Sequence, residues 1–165
     1  MRKFVVFLAA FMLLSGCKNE GEQEGNSEQA AEDFSFRNMP KGVPIQQEAL
    51  QILEDWQEYK GLEESFSVLK RASNTEDLEL AIDDLIEKEA ILAKGEYPVP
   101  FDQLQFKSRQ RVLRTFLLKI KGNLEDRQDV EQAVVQMLEA YNAMKMQFNI
   151  LTSSTLDKKL ILDEE

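Results

Sequence analysis

Beyond Pro44, apolar residues recur at spacings of three and four for most of the chain, the period of an amphipathic helix, and nowhere alternate long enough for a half-buried strand. The first run, Ile45, Ala49, Ile52, Trp56, Tyr59, Phe66 and Leu69, predicts a helix from Pro44, a good first-turn residue, to about Ala72. Gly61 inside it costs about 1 kcal/mol relative to alanine and is where a kink is expected. Ser73 and Glu76 then have the spacing of a capping box, opening a second helix with the seam Leu78, Ile82, Leu85 and Leu92. That helix should end near Lys94-Gly95, before Pro98 and Pro100. A third is expected from Phe101 or Asp102 to about Lys121, with Phe106, Leu113, Phe116 and Ile120 inward and Gly122-Asn123 as its stop. The fourth is the most regular: Val130, Val134, Met137, Tyr141, Met144, Phe148 and Leu151 alternate steps of four and three.

Four long helices with short connections predict an all-α fold, an antiparallel up-and-down four-helix bundle over residues 44–151, followed by a tail over 152–165. A three-helix bundle with the first helix partly detached at Gly61 is the alternative. Two charges interrupt the seams. Glu89 lies on the second helix's apolar face and Arg109 on the third's, each ten residues from a hairpin turn near Val99, so they are a candidate buried polar pair at the same height, against the equal expectation that both side chains reach solvent from the seam's edge. Trp56, Tyr59 and Tyr141 lie on core seams and carry polar tips; they are candidates for lining a small-ligand pocket, against the simpler expectation that they fill the core. Met137 and Met144 on the fourth seam are expected to fill the core as well, and Met146 falls beside it.

The N-terminus follows another pattern. Arg2 and Lys3 precede the apolar run "FVVFLAAFMLL", then Ser15, Gly16 and Cys17, the only cysteine in the chain. The run is too short to span a bilayer and has the layout of a secretory signal. "LSGC" resembles the lipobox of bacterial lipoproteins, and the resemblance covers only the first twenty or so positions. It implies cleavage after residue 16 and a diacylglyceryl group on Cys17, holding the protein to the membrane of the cell envelope. Two acyl chains suffice for stable anchoring. Lys18 does not resemble the aspartate that retains lipoproteins at the inner membrane, so the outer membrane is favoured; the acidic stretch that follows is similar to export signals of surface lipoproteins in Bacteroidota. The stretch "KNEGEQEGNSEQAAED" has no large apolar residue and reads as part of a flexible linker over 17–43. Phe34, Phe36 and Met39 near its end are expected to pack on the nearest helix end, as the chain turns into its domain at Pro40, Gly42 and Pro44.

Charge and composition narrow the chemistry. Thirty acidic residues against twenty basic ones give a formal charge of −10, and losing Arg2 and Lys3 makes the mature chain more acidic. Such a body lacks the basic footprint of a nucleic-acid binder. With no histidine the chain has no imidazole base, no Glu-x-x-His metal motif and no Ser or Cys triad, and there is no Gly-rich phosphate loop. Asp83, Asp84 and Glu87 cluster off the apolar seam and read as a solvated face. The sequence therefore predicts no enzyme, no metal and no cofactor, but a lipid-anchored helical domain acting through contacts with an envelope protein as adaptor, scaffold or accessory subunit. A ligand-binding sensory bundle and a periplasmic helical chaperone are the alternatives.

Overall fold

The computed structural model describes Phe36 and residues 39–162, with side chains through residue 153. Cys17, Phe34 and the signal-like segment lie outside the described residues. Those described form five helices and no strand: α1 (Gln47–Leu53), α2 (Gln57–Leu69), α3 (Thr75–Lys94), α4 (Leu104–Glu125) and α5 (Glu131–Leu162). The expected first helix is thus two, and the break falls at residues 54–56 while α2 runs unbroken through Gly61. No proline or glycine marks it. Trp56 leaves the helical conformation (φ −92°, ψ 92°) and turns its indole into a ring cluster with Tyr59, Tyr97, Phe101, Phe106 and Phe148. Burying so large a side chain outweighs the few backbone hydrogen bonds lost.

The other boundaries move for local reasons. Asn74, not Ser73, caps α3: its Oδ1 accepts from the Asp77 N–H at 2.8 Å, and the Asp77 carboxylate reaches back to the Asn74 amide (3.0 Å) and the Ser73 hydroxyl (3.2 Å). Helix α4 passes through Gly122 and stops at Asp126. There Arg127 adopts φ 53°, and the bonds Arg127 N–H to Leu124 O (3.1 Å) and Gln128 N–H to Asn123 O (2.8 Å) form a Schellman motif with arginine in the usual glycine position. Helix α5 continues past Leu151, where a tail was expected. Thr152 and Ser153 hydroxyls fold back onto the carbonyls of Phe148 (3.0 Å) and Ile150 (3.1 Å), so the polar run does not end the helix.

Consecutive helices pack on one another, α2 on α3, α3 on α4 and α4 on α5, while α1 lies against both α5 and α2. Along the seams Leu62, Leu78, Ile82, Leu113, Val134 and Met144 are fully buried, and Phe36 and Met39 pack partly against this core, as their sequence context led one to expect. Helices α2 and α5 meet differently. No Cα of one comes within 8 Å of the other among the described residues. Rings bridge the wider gap: Phe66 lies flat on Tyr141 with centroids 3.6 Å apart, and Tyr59 meets Phe148 edge-on at 4.9 Å. One partner number rises by seven as the other falls by seven, so the two helices run in opposite directions.

Candidate functional site

Glu89 is buried at 1% exposure, but its partner is not Arg109, which lies on the exposed face of α4. The buried positions of α4 are Phe106, Gln110, Leu113, Leu117 and Ile120: Phe106, Leu113 and Ile120 are as expected, while Gln110 and Leu117 take the places expected of their neighbours Arg109 and Phe116. The shift exchanges a guanidinium for a neutral amide inside, which costs far less to bury. Gln110 Nε2 donates to Glu89 Oε1 at 3.1 Å and its Oε1 accepts from the Tyr97 hydroxyl at 2.7 Å. Arg114, one turn on, pairs with the other carboxylate oxygen, Oε2. This chain of bonds fixes the register of α3 on α4. The Lys107 ammonium sits 4.7 Å above the Tyr97 ring and pairs with Asp102, extending the network to solvent. Asp83 and Asp84 are likewise used singly between helices, by Lys121 at 2.7 Å and by the buried Ser65 hydroxyl. Among the described residues no three acidic or cysteine side chains converge as metal ligands.

The three aromatics singled out by the sequence are all buried and sort into two places. Trp56 and Tyr59 share the ring cluster, Tyr59 reaching Phe148 across the α2–α5 seam, while Tyr141 lies farther along that seam against Phe66. Trp56 Nε1 and both phenolic hydroxyls are buried with no hydrogen-bond partner among the described residues. Burial pushes Tyr59 and Tyr141 well above the ordinary tyrosine range, and each hydroxyl lies close enough to perturb the other.

A groove of about 440 Å³ opens over this seam, lined by Lys60, Glu63, Glu64, Phe66 and Ser67 of α2, by Lys70 at its C-cap, and by Tyr141 and Lys145 of α5. Only Tyr141 of the expected pocket aromatics lines it. Lys145 is half-buried with its ammonium 5.6 Å from the Tyr141 ring centroid, and desolvation holds it below the usual lysine value. Lys60, Lys70 and Lys145 have no carboxylate within 4 Å among the described residues.

Two structural elements escaped the sequence reading. Asn142 and Asn149 on α5 hold the extended segment 41–46. Asn142 accepts from the Val43 N–H (3.0 Å) and donates to Lys41 O (2.9 Å); Asn149 accepts from the Gln46 N–H (2.9 Å) and donates to Pro44 O (3.1 Å). Three extended residues advance about 10 Å and seven helical ones about 10.5 Å, so the amides fall into step with the segment. The signal available was an asparagine pair one heptad apart, off the core seam.

The second element is the α3–α4 connection. Phe101 is fully buried beneath it, and its N–H and that of Asp102 bond to Pro98 O at 2.8 and 3.0 Å. On this pinned loop Val99 is 85% exposed and Leu104, opening α4, 77%. Compared with family models, curated proteins and solved structures, the chain finds no match in any of the three.

Proposed function

We propose that this chain is a lipoprotein of the cell envelope, anchored through a diacylglyceryl group on Cys17, at the outer membrane where the cell has one. Its helical domain acts by contact with another envelope protein, as adaptor, scaffold or accessory subunit, without catalysis of its own. The lipobox-like "LSGC" supports the anchor. The domain is read as an antiparallel up-and-down four-helix bundle of α2 to α5 with α1 laid on its side, supported by the consecutive packing of those helices and by the ring pairs that close α5 on α2. The observation that carries the contact reading is the α3–α4 tip. Val99 and Leu104 stand in water on a loop held from beneath by Phe101 and Tyr97, so covering them removes apolar surface from water at little ordering cost.

A photo-crosslinking residue at position 99 should capture one envelope protein in intact cells. The same residue at Gln128, on the α4–α5 connection at the other end of α4, should not, and Leu104→Asp should abolish the adduct. No adduct from position 99, or the same adducts from both positions, would overturn the contact reading. Cys17→Ala should abolish acyl labelling and membrane retention; equal labelling of both chains would overturn the anchor. The lysine-rimmed groove between α2 and α5 favours a second reading, in which the domain also senses a small ligand.

A further inference from the structure

In a chain with a formal charge of −10, three lysines without a carboxylate within 4 Å among the described residues gather on one groove. Lys60 on α2 and Lys70 at its C-cap are ten residues apart, about 15 Å along the axis; Lys145 lines the groove from α5. Glu63 and Glu64 share the rim, leaving it net positive. The floor is formed by the Phe66 and Tyr141 rings, and the volume lies in the range of small-molecule sites.

The geometry points to a small organic anion as the ligand of this groove, its apolar body against the Phe66 and Tyr141 side chains and its acid oxygens against the lysine ammoniums. An anion gains from all three lysines and is repelled by Glu63 and Glu64. A cation would meet the reverse balance. This inference rests on the sensing reading and is independent of the Val99 tip.

The test is titration of the isotope-labelled protein with benzoate and phenyl phosphate, with benzyl alcohol and benzylammonium as neutral and cationic counterparts, following amide shifts by NMR. Benzoate and phenyl phosphate should shift resonances of residues 60–70 and 141–145 with Kd of roughly 1–10 mM, as befits probes of so few atoms. Lys145→Gln and Lys70→Gln should each weaken binding about threefold or more, and Glu63→Gln should tighten it about twofold. Preference for benzylammonium or benzyl alcohol would overturn the anion assignment while leaving a ligand groove. Absence of shifts from all four probes would overturn both. Binding unaffected by Lys145→Gln and Lys70→Gln would place the anion elsewhere and overturn the site.

Discussion

At the scale of single residues, the buried carboxylate of Glu89 sets the sharpest contrast. It is held by Arg114, whose side chain is 38% exposed, and by Gln110, while Arg109 points to solvent. Arg114→Ala leaves the carboxylate with an amide alone and should cost about 2–4 kcal/mol, less than a fully buried pair would because water can reach the site. Arg109→Ala should stay within about 0.5 kcal/mol. Urea unfolding of both variants, with a Glu89/Arg114 double-mutant cycle, measures this; a cycle with no coupling would mean the pair does not stabilise the fold. Glu89 stood out in the sequence because a charge on a strict seam is conspicuous. Its partner did not, because seams through Arg109–Phe116 and through Gln110–Leu117 have the same periodicity. What separates them is the cost of burying a guanidinium, which periodicity does not carry.

Among the elements, helix interiors were legible and helix ends were not. The α5 seam from Val134 to Phe148 is buried as its spacing implied, Met137 and Met144 included, whereas Met146 is half exposed. The split of α1 from α2 was invisible because its cause, the ring cluster around Trp56, assembles from residues up to ninety positions away. The end of α4 misled for another reason. Gly122 looks like a stop, yet Arg127 takes the left-handed position, which costs an L-residue roughly 1 kcal/mol that glycine does not incur. Arg127→Gly should therefore stabilise the domain by about 0.5–1 kcal/mol, raising its melting temperature by a few degrees. Unchanged or lowered stability would mean that the Arg127 side chain makes a compensating contact.

For the molecule as a whole, the seam between α2 and α5 sets the response to alkali. Tyr59 and Tyr141 stay protonated in the fold above the pH at which unfolded tyrosines ionise, near 10, so above that pH the folded state binds more protons. Their contribution is full below pH 10 and falls as pH rises beyond it, by up to about 1.4 kcal/mol per pH unit for each. Urea unfolding between pH 8 and 11.5 should show this decline, and the Tyr59→Phe/Tyr141→Phe double variant should lose that part of the slope. The groove was only partly legible, since one of its residues, Tyr141, was expected there, while its lysines come together through the antiparallel run of α2 past α5. The asparagine clamps have a mechanical consequence. Residues 41–46 run parallel to α5, so a pull on the chain from the N-terminal side of Lys41 along the helix axis loads both amides in shear, and they must fail together. Pulled across the axis, the same bonds would unzip in turn, Asn142 first. Under axial load, Asn142→Ala and Asn149→Ala should lower the detachment force equally, whereas an effect confined to Asn142→Ala would show that the segment peels from its end.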